Sequence, residues 1–182
     1  HQGSQLQTER LHLHAQIMLV EPELTIQFYS LEALLFPLVT DETLGIDLDE
    51  LPDIEQIQEE LKKVGDTARE HDVSMGSHPD QFNVLASLNQ DAVRRTIGEL
   101  NMQASVLDMM GLPKDHTAPM NIHINYSPKD NETLEDVAER FYSNLMKCDS
   151  GVYNRLTIEN EDKGFFNVDN CIKFSDYLFE TF

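Results

Sequence analysis

The stretch His78-Pro79-Asp80-Gln81-Phe82 follows the short run Val73-Ser74-Met75 and precedes a long helical pattern. A histidine that ends a strand and is followed by proline and polar side chains points out of a sheet toward a cleft. Two later stretches repeat this arrangement: Met120-Asn121-Ile122-His123-Ile124-Asn125 places a histidine in a β-branched run, and Leu156-Thr157-Ile158-Glu159 ends in a carboxylate. Two histidines and one glutamate from three successive strands predict a site for a divalent metal ion.

Helical patterns separate these strands. Apolar residues recur at three- and four-residue steps over about 52–70 and about 90–110, with Pro52 near the first start and Gly111 at the second end. A third helix begins at Thr133, which has an acidic residue three positions later, and Asn167 caps a fourth. The residues expected on the buried faces are Ile54, Ile57, Leu61, Val64, Ala68, Val93, Ile97, Leu100, Ala104, Leu107, Val137, Phe141, Leu145, Met146, Cys171, Phe174 and Leu178.

The alternation of strands and helices predicts the fold class. A first strand over 26–31, followed by those at 73–75, 120–125 and 156–159, gives parallel βα units of an α/β protein. Ligands at successive strand ends suit a (β/α)8 TIM barrel, whose sites lie on that face. About four units are present where eight close a barrel, so we predict a partial TIM barrel over 26–182 and a poorly defined segment over 1–25. In that segment His12 and His14 form a weak second metal candidate.

Composition restricts the class of protein. The 182 residues are 40% hydrophobic, enough for a packed core. No apolar run approaches the roughly 18 residues of a membrane span, and the N-terminus does not resemble a signal peptide. Cys148 and Cys171 lack metal-type spacing, and we interpret them as reduced thiols of an intracellular protein, cytoplasmic or in the nucleoid or nucleus, that is not secreted. The formal charge of −20 argues against a nucleic-acid partner unless bound cations offset it.

Each ligand candidate has a structural alternative. His78 precedes a proline and could be a structural residue, and His123 lies between isoleucines, where a buried neutral histidine is common. Glu159 would be costly to bury without a partner. Together the three residues fill three positions on one ion and leave others for water or a phosphate oxygen.

The neighbouring polar residues extend the candidate site. Asp80, Glu161 and Asp162 are additional ligands or a general base, or else plain loop carboxylates. Lys163 is a candidate phosphate contact. Phe82, beside Gln81, either packs under the next helix or stacks against nucleic-acid bases.

At these residues the sequence resembles the UV damage endonuclease family, metal-dependent TIM barrels of the endonuclease IV type, over roughly 26–175. The matching stretches are 78–85, 121–125 and 158–165. The resemblance implies that His78, His123 and Glu159 are catalytic metal ligands, with Glu159 bridging two ions. It implies that Gln81 and Phe82 probe the damaged duplex, and we add Asn160 and Lys163 as substrate-binding residues.

The activity implied by the resemblance is incision of double-stranded DNA on the 5′ side of UV photoproducts. Water activated by a divalent cluster would attack the phosphodiester. Manganese is the first choice for the metal, with Zn²⁺, Co²⁺ and Mg²⁺ as alternatives. The implied partner is DNA carrying UV lesions.

Departures from the family pattern keep two rival functions open. Phe28-Tyr29-Ser30-Leu31-Glu32-Ala33 lacks an arginine and two serines of the family strand, and the strands that supply the remaining ligands are not found. One rival is a sugar-isomerase-like metalloenzyme, against which Gln81 and Phe82 argue. The other is a catalytically inactive remnant that binds metal or a partner, which the charge of −20 favours. An open half-barrel would expose a sheet edge, so dimers or aggregates are expected, although the oligomeric state stays open.

Overall fold

The sheet consists of four parallel strands in a computed structural model of the protein, which describes residues 28–32, 39, 48–129 and 131–182. The strands are β1 Phe28–Glu32, β2 Ser74–His78, β3 Met120–His123 and β4 Leu156–Glu159. They are hydrogen-bonded in the order β1-β2-β3-β4, and each pair is parallel. The predicted α/β class and the four βα units are confirmed, and the described residues form no closed barrel.

The helices that connect the strands are α1 Ile54–Glu70, α2 Gln90–Met109, α3 Leu134–Leu145, the short α4 Ser150–Tyr153 and α5 Val168–Thr181. A 3-10 turn at Leu48–Glu50 precedes α1. The four longer helices were predicted. The two shortest were not, because three or four residues carry no apolar periodicity. The predicted segment 1–25, with His12 and His14, lies outside the described residues.

Capping side chains mark the starts of three helices, and a glycine follows the end of one of them. Asn89 accepts hydrogen bonds from the first backbone N–H groups of α2, and Asn167 does so for α5. Thr133 and Asp136 form the reciprocal capping box of α3. Past α2, Gly111 has a φ of 69°, the left-handed conformation that glycine accommodates at a helix end.

The structure corrects three details of the sequence prediction. β2 continues to His78 because backbone pairing with β1 reaches Glu32↔His78. β3 ends at His123, before Asn125, which has a φ of 49° that a strand does not allow. Met146 is 44% exposed, so it does not belong to the buried face of α3, because it lies just past the last helical residue.

The core lies between the sheet and its helices. Met75, Met120 and Ile122 point from the strands into it, and the predicted buried positions of α1 and α2 are buried there, with Ile54 and Ile97 partly buried at its border. Gly65 allows α1 to approach α2, because a Cβ at this position would overlap the Met110 carbonyl oxygen.

A buried arginine joins the elements at the start of β4. Arg155 is fully buried, donates to backbone carbonyls including those of Pro113 and Leu112 at 2.9 and 3.1 Å, and pairs with Asp108 at 2.8 Å. Burial alone would raise the pKa of Asp108, but hydrogen bonds from Lys114 and Arg155 outweigh it and hold the pKa below its usual value. This end of the sheet is therefore held together by a buried charge whose donors have hydrogen-bond partners.

Candidate metal centre

Strand register brings the predicted ligands together. β3 and β4 pair with His123 opposite Glu159 and Asn121 opposite Thr157. Side chains alternate along a strand, so these four residues share one face of the sheet, while Met120 and Ile122 face the core. His78 ends β2 at the same carboxyl edge.

The three predicted ligands lie close enough to bind one ion. His78 Nε2 and Glu159 Oε2 are 2.9 Å apart, and the His78 and His123 ring centroids are 5.5 Å apart. One ligand atom from each of His78, His123 and Glu159 can be chosen so that all lie within 4.8 Å of one another. The side chains of His78 and Glu159 are 41% and 42% exposed, so solvent reaches the site.

The donor set suits a divalent cation. Imidazole nitrogens suit borderline ions such as zinc, and a carboxylate oxygen also suits harder ions such as manganese, so this set of two histidines and one glutamate can bind either kind. Ligand atoms that share an ion are roughly 3.0–3.4 Å apart, and His78 Nε2 and Glu159 Oε2, at 2.9 Å, are already close to this spacing. Three protein ligands leave further coordination positions free for water or substrate.

Two residues that sequence reasoning missed hold the glutamate in place. Asn121 Nδ2 donates to Glu159 Oε2 at 2.5 Å, and the Thr157 hydroxyl donates to Asn121 Oδ1 at 3.0 Å. Thr157 thereby fixes which end of the Asn121 amide faces the carboxylate. Both residues lie two positions before a predicted ligand on the same strand face, and this period-2 spacing is the signal that could have found them.

The loop after β2 presents its aromatic residue to solvent. Asp80 Oδ1 accepts from the Phe82 N–H at 2.9 Å, and the Asp80 carbonyl accepts from the Asn83 N–H at 3.0 Å. This turn places Gln81 and Phe82 at its tip, and Phe82 is 79% exposed. The alternative that Phe82 packs under the next helix is therefore wrong.

The remaining candidates do not join the three-residue group. Within the described residues that group contains neither Asp80, Glu161 nor Asp162. Glu161 instead accepts a hydrogen bond from the Asn125 N–H at 2.8 Å. Asn160 and Lys163 are exposed in the loop after β4, accessible to a substrate at the same edge of the sheet.

An ion-pair network holds the loop after β3. Arg140 pairs with Glu132 at 2.8 Å and stacks over the Tyr126 ring, whose hydroxyl donates to Glu132 at 2.7 Å. The Lys129 N–H donates to the same carboxylate at 3.0 Å. These donors, the Lys129 backbone first, lower the pKa of Glu132 to about 2, so this carboxylate stays charged at neutral pH.

Neither cysteine belongs to the candidate metal-binding group, although Cys171 Sγ lies 4.0 Å from the Glu159 carbonyl oxygen. Cys148 and Cys171 are unpaired thiols, and burial raises the pKa of Cys148 to about 12. Each therefore remains protonated at neutral pH, as the pKa of Cys171 is also raised by burial. No helix in the described part of the chain combines the length and the apolar character that crossing a membrane demands.

Comparison with known proteins places the site in a family context. A family model described as UV-endonuclease UvdE matches residues 4–177. A UV DNA damage endonuclease of Nostoc sp. (strain PCC 7120) is 29% identical over 152 residues, covering 80% of this chain and 43% of the relative. One from Bacillus pumilus is 25% identical over 146 residues, covering 79% of this chain and 42% of the relative.

A solved structure agrees with these sequence matches. The crystal structure of SacUVDE superimposes with a TM-score of 0.81 and 26% identity, covering 96% of this chain and 56% of that chain. The chain thus spans less than half the length of the two relatives above and little more than half of the solved structure.

Proposed function

Since the chain belongs to the UV-endonuclease UvdE family, we propose that its function is metal-dependent incision of double-stranded DNA on the 5′ side of UV photoproducts. The observation that carries this proposal is the convergence of His78, His123 and Glu159 at three strand ends, beside a loop that exposes Phe82. Metal ligands next to an exposed aromatic residue suit an enzyme that must recognise a distorted base stack and cut the adjacent backbone.

The proposed ligands are His78, His123 and Glu159, and the proposed ion is manganese, with Zn²⁺, Co²⁺ or Mg²⁺ as alternatives. A bound divalent ion supplies a water of lowered pKa and polarises a phosphoryl oxygen. Glu159 would be held in a fixed orientation for this by Asn121, which Thr157 orients in turn. The 2.9 Å contact between His78 Nε2 and Glu159 Oε2 places both proposed ligand atoms at the same point of the cleft, and a bound ion would replace this hydrogen bond.

The rim residues would recognise the substrate. Phe82 is exposed enough to stack against a base or to enter a base step weakened by a photoproduct, and Gln81 beside it can bond to base edges. Asn160 and Lys163, exposed after β4, are proposed to contact the DNA backbone. The proposed compartment is intracellular, where DNA is present, which the two free thiols suit.

The formal charge of −20 constrains how such a protein can bind DNA. Long-range attraction to phosphates is absent, so affinity must come from short-range contacts in the cleft and from bound cations. Screening over about 8 Å at physiological salt limits the repulsion from distant acidic side chains. We therefore expect DNA binding to require the divalent ion.

Nicking of supercoiled plasmid tests the proposal. The 182-residue chain is incubated with UV-irradiated or untreated plasmid, with and without manganese, and His123→Ala and Glu159→Ala variants are assayed in parallel. The proposal expects nicking of irradiated DNA alone, only with manganese, and lost in both variants. Denaturing gel electrophoresis of an end-labelled duplex that carries one photoproduct would then locate the incision relative to the lesion.

A negative result would separate activity from ancestry. If the folded chain binds manganese but nicks neither plasmid, incision by this chain is refuted and the metal-binding role remains. If nicking persists in Glu159→Ala, the assignment of the ligands is wrong even though the activity is present. Far-UV circular dichroism of each variant confirms that the fold is retained.

A further inference from the structure

Asn125 has an unusual backbone conformation two residues beyond the end of β3. Its φ of 49° is one of two positive values among the described non-glycine residues. Asparagine tolerates this left-handed region better than most residues do. In this conformation both the backbone N–H and the side-chain amide of Asn125 donate to neighbouring loops.

Asn125 binds the two loops that flank its own. Its backbone N–H donates to Glu161 Oε1 in the loop after β4 at 2.8 Å. Its side-chain Nδ2 donates to the Gln81 carbonyl in the loop after β2 at 2.5 Å. One residue therefore connects three successive strand-end loops.

The sheet itself does little to connect two of those loops. β1 pairs with β2 through five register pairs, and β3 with β4 through four. β2 and β3 share the single pair Ser77↔Met120, at the first residue of β3. The bond from Asn125 to Gln81 adds a direct link between the loops that follow these two strands.

Both partners of Asn125 are themselves fixed. Gln81 lies in the turn that Asp80 closes through the Phe82 N–H. On the other side, the Glu161 N–H donates to the Phe166 carbonyl at 2.8 Å, and the chain closes through Gly164, whose φ of 142° favours glycine. Asn125 thus connects two preformed turns, one with the aromatic tip and one next to the metal ligand Glu159.

We propose that Asn125 is a positioning residue that fixes the Gln81–Phe82 tip relative to the metal-binding strand ends. This inference rests on the proposed function, since it assigns the bond from Asn125 a role in discrimination between damaged and intact DNA. A tip held at a fixed distance from the ligands can probe only a base whose backbone already lies at the metal. Without the bond, the tip would move independently and sense lesions less selectively.

The chain contains no tryptophan, which permits a direct test of the tip. Phe82→Trp introduces the only tryptophan of the chain there, and time-resolved anisotropy under excitation selective for tryptophan over tyrosine then reports its local motion. In this background Asn125→Gly removes the side-chain amide and retains the positive φ, whereas Asn125→Ala removes the amide and disfavours that φ. Ser127→Gly is the matched control, because it is an exposed residue of the same loop whose side chain makes no hydrogen bond among the described residues.

The proposal expects Asn125→Gly to release the tip. Loss of one such hydrogen bond shifts a local equilibrium roughly fivefold, so the amplitude of nanosecond motion should rise about twofold or more. Asn125→Ala should raise the amplitude of this motion similarly and also lower the melting temperature. Ser127→Gly should change neither quantity. If Asn125→Gly in this background matches the Phe82→Trp parent and only Asn125→Ala differs, Asn125 stabilises only its own turn and the proposal is overturned.

A second measurement separates this inference from the proposed function. Binding of labelled duplexes, irradiated and intact, is measured with manganese for the chain with Phe82 retained. Asn125→Gly should lower the ratio of the two affinities by roughly fivefold and leave manganese affinity unchanged. Equal affinities for both duplexes in the unsubstituted chain would count against the proposed function, whereas the tryptophan experiment would still decide whether Asn125 holds the tip.

Discussion

Replacement of Asn121 by alanine should weaken metal binding without unfolding the chain. The Asn121 amide donates to Glu159 at 2.5 Å, a hydrogen bond to a charged acceptor. Such bonds contribute about 1.5–3 kcal/mol. Glu159 is 42% exposed, so water would replace part of the lost bond and the low end applies. About 1.5 kcal/mol corresponds to roughly tenfold weaker manganese binding.

Thr157→Val provides a graded control. Valine keeps the shape of threonine and removes the hydroxyl that donates to Asn121 Oδ1 at 3.0 Å. Because this bond acts on Glu159 only through Asn121, we expect a smaller loss, about two- to fivefold. Isothermal titration with manganese measures the unsubstituted chain, Thr157→Val and Asn121→Ala, and His123→Ala serves as the variant with a proposed ligand removed.

The order of the four manganese affinities tests whether Asn121 orients Glu159. Manganese affinity should fall from the unsubstituted chain to Thr157→Val, then to Asn121→Ala and finally to His123→Ala. An Asn121→Ala chain that is folded and binds manganese within about twofold of the unsubstituted chain would refute the view that this amide orients the ligand. Circular dichroism and urea unfolding of each variant exclude an effect through global stability.

Three further predictions concern stability, pH and recognition. Gly65→Ala should lower the free energy of unfolding in urea titrations by about 1–3 kcal/mol, because the added Cβ would overlap the Met110 carbonyl. Gly98→Ala has open space around its Cβ and should raise the free energy of unfolding by about 0.5–1 kcal/mol. Equal effects of the two substitutions would contradict the close approach of the helices at Gly65. The pKa of Glu132 is lowered to about 2, so its stabilising contribution is complete above the ordinary value of 4.5 and lost as pH falls toward 2. Urea unfolding from pH 6 to pH 2 should therefore show a smaller pH-dependent loss in Glu132→Gln, and parallel curves would oppose this. Phe82→Ala should change unfolding stability by less than about 0.5 kcal/mol, since Phe82 is 79% exposed, while the preference for irradiated DNA decreases in binding titrations; an unaltered preference would remove Phe82 from lesion recognition.

The strands and helices could be predicted where apolar periodicity and capping residues coincide. β4 has the bounds expected from its sequence, and α3 begins at the predicted Thr133 capping box. The His78, His123 and Glu159 group was foreseeable because parallel strands bring their carboxyl ends to one edge of the sheet. These features depend on local sequence and on the direction of the strands.

Other features depend on contacts between distant residues. The bond from Asn121 to Glu159 requires the register of β3 against β4, which neither strand specifies alone. The close approach at Gly65 depends on the position of α2, and the turn at Asn125 depends on two other loops. Met146 was predicted on a buried face because the apolar spacing of the sequence continues past Leu145, where the helix itself ends.

The sheet order β1-β2-β3-β4 has a consequence for synthesis on the ribosome. Among the described strands, β2, β3 and β4 each pair with the strand that precedes them in the chain, so each of these βα units finds its partner already outside the exit tunnel. We expect the described units to assemble vectorially, with the His78 end of β2 in place before His123 and Glu159 emerge. Proteolysis of stalled nascent chains should show protection of β1 and β2 before β4 is translated, and simultaneous protection of all four strands would contradict this order.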